Sequence, residues 1–217
     1  MKILQYLFIS LSHKILKHLP YTTIRILSVP IGTLYFLLTF RSSIKLFKRK
    51  EIFNELKINY KPLIVKINYT RYWLETLWLT NKNFSKYISP HVEIENLEYV
   101  EKLKKQYPGL IFALPHLGNW EFAIPIGNSI KLNLLAVAEP LNNSYVLNWF
   151  KSLRESLGIE IIIGGKGQNT FDLLFNKLKS GKDICLLSER EVSKNRVLQL
   201  NFLVNLLLFR KVPLHFL

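Results

Sequence analysis

His116 and Glu121 are the two side chains of this sequence best placed to move a proton together. They stand in the stretch Leu114-Pro115-His116-Leu117-Gly118-Asn119-Trp120-Glu121. An imidazole changes charge near neutrality, and a carboxylate that meets it fixes its tautomer and makes it a better general base. The apolar run Leu110-Ile111-Phe112-Ala113 reads as a buried strand, Gly118 breaks the pattern, and a helix can begin near Asn119. His116 therefore falls at the carboxyl end of a strand, where open α/β sheets hold their sites. Glu121 falls in the first turn of the helix, and a strand-to-helix turn can fold its carboxylate back onto the imidazole. A purely structural His–acid pair is the competing reading; the strand end, the preceding Pro and the Gly-Asn-Trp spacer favour chemistry. No Gly-x-Ser-x-Gly elbow is present, and the sequence places no Ser or Cys near His116. A base without a neighbouring nucleophile suits direct attack by a substrate hydroxyl.

The elements that must position this pair follow from the apolar pattern. Val92–Leu97 reads as an edge strand or its exit, and 100–106 as a short helix ended by Pro108-Gly109. The strand carrying His116 comes next, then a helix over 120–126, a strand over 132–137, a helix over 142–157 and a strand over 159–163. A helix over 171–179 and a fourth strand over 183–187 complete the series. Strands alternating with helices predict an α/β fold with a mostly parallel sheet. Glu139, Arg154 and the run Glu189-Arg190-Glu191 all fall at strand or helix ends near His116. An Arg can grip a phosphate with its bidentate fork, which Lys lacks; a plain helix-surface Arg is the alternative at 154. Gly164-Gly165-Lys166-Gly167 could cradle a phosphate or serve as an ordinary β-to-α turn.

Composition narrows the setting. Net charge is +15 over 217 residues, and 49% of the residues are hydrophobic. Basic and apolar together point to an anionic membrane surface rather than to nucleic acid. Cys185 is the single cysteine, which excludes an intrachain disulfide and a CxxC metal site.

The membrane signal is concentrated at the N-terminus. Residues 1–50 hold nine Lys or Arg and no acid. Met1–Leu19 carries Ile3, Leu4, Leu7, Phe8, Leu11, Ile15 and Leu19 at helical spacing, an amphipathic helix able to lie in a lipid interface. A signal peptide is the rival, but no small-residue cleavage site follows the apolar stretch. Ile26–Phe40 is uncharged and mostly apolar, shorter than the ~20 residues of a full span. It reads as a buried or half-inserted helix. The basic cluster Arg41, Lys45, Lys48, Arg49 and Lys50 after it is the kind that anionic headgroups attract, at about 1 kcal/mol per cation; a solvated helix face is the alternative. Tyr69–Leu79 reads as a core-facing helix with an aromatic stripe, on which Arg71 and Glu75 have the spacing of an i,i+4 ion pair.

Several of these segments resemble one family. His-x-x-x-x-Asp/Glu with Gly-Asn-Trp inside it resembles the signature of the lysophospholipid and lipid A acyltransferases. The form ALPHLGNWEFA is most similar to the phosphatidylinositol mannoside acyltransferases of actinobacteria. Arg71-Tyr72-Trp73-Leu74-Glu75 resembles their "RYWxE" helix, Ala138-Glu139 their "VAE" segment, and Arg154 to Gly158 their "RESLG" helix. Cys185 to Glu191 resembles their "CLL-x-[DE]-R-D" strand end. Position 121 is Glu where such relatives usually have Asp. The resemblance implies a glycerol-3-phosphate acyltransferase-like sheet preceded by a membrane-associating region. It implies His116 and Glu121 as the catalytic dyad, with Glu139, Arg154, Glu189, Arg190 and Glu191 around the acceptor and headgroup. It implies an acyl-CoA or acyl carrier protein donor, no cofactor, a glycolipid acceptor and a place at the cytoplasmic face of the plasma membrane. Transfer to lipid A is the alternative within the class, and a non-catalytic basic membrane-binding protein the alternative outside it.

The expected organisation is a helical region over 1–85, the α/β domain over 90–195 and an atypical tail over 196–217. The resemblance implies a Gly, a strand, "FFG" and "FPxGPA" after the acidic strand end. The tail shows none of these, yet it can be back-translated so that the frame one nucleotide earlier contains a Gly, "FLG" and "FPKGPA" in that order. A frameshift near codon 196 and a truncated enzyme are the corresponding expectations.

Overall fold

The computed structural model describes residues 1–40, 61–164 and 169–187. The basic cluster at 41–50, Gly165 to Gly167, Glu189, Arg190, Glu191 and the tail over 196–217 lie outside the described residues.

Helices α1 (Lys2–Leu16) and α2 (Tyr21–Leu38) meet at Pro20, which has extended backbone and no N–H with which to continue a helix. Helix α3 (Pro62–Trp78) begins with Pro at its first turn, where no N–H partner is needed. The buried stripe Ile24, Ser28 and Gly32 of α2 faces α3. Gly32 allows the close approach: a Cβ there would stand 2.6 Å from the Ile67 Cα. Trp78, fully buried, donates its indole N–H to the Leu19 carbonyl at 2.9 Å. This ties the α1–α2 corner to the end of α3.

Helix α1 is turned inside out relative to an ordinary surface helix. Leu4, Phe8, Leu11 and Ile15 are exposed. Its polar side faces the protein: His13 Nδ1 lies 2.8 Å from the Leu77 carbonyl, and Asn143 donates to the Lys2 carbonyl and to Gln5.

The order of helices and strands in the α/β part is as the apolar pattern predicts, with two corrections: the strand before His116 forms but is not buried, Ile111 being 57% exposed, and the strand expected at its start is missing. Val92–Leu97 is not a strand. It runs irregularly into a turn, Asn96 takes the left-handed region, and α4 (Leu97–Gln106) starts there. Glu93, Ile94 and Glu95 are all exposed, so their alternation separates no buried face from a wet one.

Then follow β1 (Ile111–Leu114), a 3₁₀ turn (Trp120–Phe122), α5 (Ala123–Ser129) and β2 (Leu134–Ala138). After them come α6 (Ser144–Leu157), β3 (Glu160–Ile163), α7 (Thr170–Lys179) and β4 (Asp183–Leu187). The four strands form one parallel sheet in the order β1-β4-β2-β3. Among the described strands, the one that comes last in sequence thus lies inside the sheet. Leu114 pairs with Leu187 and Ala138 with Ile163, so the strand ends align on one side. A single core joins the helical part to the sheet: Leu79 and Phe84 pack with Ile124, Leu134, Leu157, Ile159 and Ile161.

At the opposite ends of the strands Asp183 is fully buried and fully bonded. Oδ1 accepts from the Leu110 N–H (3.0 Å) and Oδ2 from the Asn133 N–H (2.8 Å). The Lys104 ammonium reaches both oxygens, at 2.8 and 3.0 Å. One carboxylate thereby holds the entrances of β1 and β2 on either side of β4.

Candidate functional site

The aligned carboxyl ends of the strands open into a cavity of about 580 Å³. Its walls include Leu114, Ile124, Val137, Ile161, Ile163 and Leu186, and its polar lining includes His116, Glu121, Glu139, Lys151, Arg154 and Tyr72. A mostly apolar cleft with a few converging polar groups, at the carboxyl edge of a parallel sheet, has the form of a ligand site.

His116 follows Pro115 directly after β1. The chain then turns through Gly118, at φ +60°, with the Leu117 N–H bonded to the Pro115 carbonyl at 2.8 Å. A side chain at 118 would be strained in that left-handed region. Asn119 comes next, and its Oδ1 accepts the Glu121 N–H at 3.1 Å, capping the 3₁₀ turn. The Trp120 indole meets the His116 imidazole edge-on, with ring centroids 4.7 Å apart, and packs against Tyr72 on its other contact at 4.8 Å.

Glu121 is 1% exposed. Arg154 grips it with a fork: Nε lies 3.2 Å from Oε1 and 3.0 Å from Oε2, and Nη2 lies 2.6 Å from Oε1. The Tyr72 hydroxyl stands 3.4 Å from Oε1. The Arg154 guanidinium and the Tyr72 hydroxyl thus both bond the Glu121 carboxylate. A buried carboxylate needs such company, because desolvation without pairing costs several kcal/mol. Burial, and then the Glu121 charge, push the Tyr72 phenol well above its ordinary pKa, so it remains a neutral donor.

The other expected site residues separate clearly. Arg154, from α6, lies in the cavity, and its fork is engaged by Glu121 rather than turned wholly to a ligand. Glu139 follows β2 and is exposed at the cavity lining. Its strand does not neighbour that of His116, because β4 lies between them. Cys185 corrects the expectation that no Cys lies near His116: it lines the same cavity. It stands opposite Phe112 on β1, four residues short of His116 along the chain. Burial, with the Asp183 charge, pushes its thiol up to about 11, so it is protonated at neutral pH and a poor nucleophile.

Two residues acquire a place here that sequence reasoning did not give them. Tyr72 enters the sequence reading only through the resemblance of Arg71 to Glu75 to a family helix, and Glu75 as half of a local ion pair. Glu75 is 5% exposed and accepts from the Tyr21 hydroxyl at 2.8 Å and from Asn119 Nδ2 at 3.1 Å. Burial raises its carboxyl pKa, while the bonds from Asn119 and Tyr21 oppose the rise; Arg71 acts on it through charge only. The local signal was the i,i+3 spacing of Tyr72 and Glu75, which puts both on one helix face.

Residues 2–205 match the family described as bacterial lipid A biosynthesis acyltransferase. The chain is also similar to a phosphatidylinositol mannoside acyltransferase of Mycobacterium tuberculosis (strain CDC 1551 / Oshkosh), 29% identical over 133 residues. That match covers 60% of this chain and 42% of the relative. A phosphatidylinositol mannoside acyltransferase of Mycolicibacterium smegmatis is 29% identical over 134 residues, covering 60% of this chain and 43% of the relative. The matched region therefore spans less than half of the length of these relatives.

Proposed function

We propose, on the premise that this chain belongs to the bacterial lipid A biosynthesis acyltransferase family, that it moves a fatty acyl chain from a thioester donor to a sugar hydroxyl of a phosphoinositol glycolipid. The observation that carries the reading is the cavity itself: apolar walls that suit an acyl chain run up to His116 and the Glu121–Arg154 pair at the strand ends. The relatives named for phosphatidylinositol mannosides favour that acceptor over lipid A.

In this mechanism His116 takes the proton of the acceptor hydroxyl as its oxygen attacks the thioester carbon. The tetrahedral intermediate collapses with loss of the thiolate, acyl-CoA being the donor we favour over acyl carrier protein. Glu121 is the acidic partner of the base. Arg154 holds Glu121 in place and neutralises the cost of burying it. Glu139 binds acceptor hydroxyls from the exposed lining. The family resemblance extends the headgroup role to Glu189, Arg190 and Glu191, which lie outside the described residues, with Arg190 as a candidate donor to the oxyanion. No cofactor enters the reaction. The test is transfer from radiolabelled acyl-CoA to a phosphatidylinositol mannoside and, in parallel, to a lipid A precursor. Product on the mannolipid is expected; product on the lipid A precursor alone would replace the acceptor, and product on neither would overturn the reading.

The same reading places the chain on an anionic membrane, at the cytoplasmic face of the plasma membrane. Its support is the outward apolar face of α1, together with α2, which has the length and composition to cross a membrane. Replacing Leu4 and Phe8 with Ser should weaken binding to anionic vesicles by about 1–2 kcal/mol per side chain, and raised salt should weaken it further. Flotation with vesicles checks this; binding indifferent to both changes would remove α1 as the anchor.

A further inference from the structure

We infer that Glu75 is a positioning residue for the site, acting through Asn119 on Glu121; the inference rests on the acyl-transfer reading for its kinetic consequence only. A side-chain amide can sit in either of two orientations that differ by exchange of its oxygen and nitrogen, and its neighbours decide between them. In its ionised form Glu75 offers acceptor oxygens only, and both of its oxygens accept here. Its Oε2 takes Asn119 Nδ2 at 3.1 Å, which turns Asn119 Oδ1 toward the Glu121 N–H, also at 3.1 Å. The flipped amide would set an oxygen against the carboxylate and an NH₂ against an N–H, two repulsive contacts in place of two bonds. Glu75 is held in turn by the Tyr21 hydroxyl at 2.8 Å on its other oxygen. Tyr72, one turn earlier on α3, reaches the Glu121 side chain from the same helix face.

Helix α3 therefore fixes Glu121 twice, at its backbone through Glu75 and Asn119 and at its carboxylate through Tyr72. Glu75 does not line the cavity and touches no substrate. Its burial makes the arrangement rigid: a carboxylate 5% exposed keeps both partners or loses much of its solvation.

The experiment measures hydrogen exchange at the Glu121 amide, kcat and KM for acyl transfer, and the thermal midpoint. It uses the full chain, Glu75→Leu, Glu75→Gln, Asn119→Ala and the Glu75→Leu/Asn119→Ala double variant. Exchange at Glu121 is expected to accelerate about tenfold in Glu75→Leu and in Asn119→Ala, with no further gain in the double variant. The kcat should fall about tenfold in each with KM changed less than twofold. Glu75→Gln keeps one acceptor for Asn119 and should retain most of both properties. If Glu75→Leu does not fold, Asn119→Ala alone and combined with Glu75→Gln carry the same comparison. Unchanged exchange at Glu121 in folded Glu75→Leu or, where that variant does not fold, in Asn119→Ala, or kinetic losses that simply add in the double variant, would overturn the proposal. A wild-type chain that transfers no acyl group would instead overturn the functional reading, and the exchange data would still decide the role of Glu75.

Discussion

Replacing His116 with alanine should lower kcat for acyl transfer by roughly 10²–10⁴, the usual worth of a positioned general base, with little change in stability. The side chain sits just past the end of β1, half-buried, and carries none of the core. In the proposed mechanism its removal takes away the acceptor for the hydroxyl proton and leaves the apolar cavity walls in place, so donor binding should persist. Glu121→Gln should cost less in kcat because the base remains. It should also lower stability, because the Arg154 fork loses the charge it grips inside the protein. Turnover, donor affinity and a thermal midpoint measured on both variants separate these effects. Near-wild-type turnover in His116→Ala would show that another group takes the proton.

The second large effect falls at the opposite ends of the strands. Asp183→Ala should destabilise the fold by about 3–5 kcal/mol, the cost of breaking a buried ion pair from one side. The Leu110 and Asn133 N–H groups lose their acceptor and the Lys104 ammonium loses its counter-charge. Asp183→Asn keeps one acceptor oxygen and should cost less. Denaturant unfolding of both variants checks the order. A change under about 1 kcal/mol for Asp183→Ala, within the range of a surface pair, would mean that water replaces the carboxylate there.

The four strands were legible because each is a short apolar run between turn residues, and His116 was legible as a strand-end histidine for the same reason. Their order in the sheet was not. Periodicity says which face of a strand is buried and is silent about its neighbours, so Glu139 looked adjacent to His116 although β4 intervenes. Val92–Leu97 shows the converse error, where alternation without a partner strand makes no strand. The polar network was the least legible part. Glu75 has a natural local partner in Arg71, but its bonds go to residues 54 and 44 positions away. Arg154 looked like a phosphate ligand because its partner, 33 positions earlier, was itself assigned to the histidine. Local spacing exposes helix-face neighbours; pairings made by the closing of the fold leave no local trace.

The central place of β4 has a consequence for the birth of the protein. Strands β1 and β2 do not touch each other in the sheet; β2 has β3 beside it, whereas among the described strands β1 pairs only with one that begins at Asp183. At roughly 5–20 residues per second on a ribosome, β1 stands unpaired for several seconds before that strand emerges. No hairpin can shelter it meanwhile, since its pairing is parallel, which closes a long loop and forms slowly. The nascent chain therefore passes through a stage in which the apolar strand leading to His116 is open to chaperones. Arrest of synthesis before codon 183 would leave β1 and the β2–β3 pair with no ladder in common.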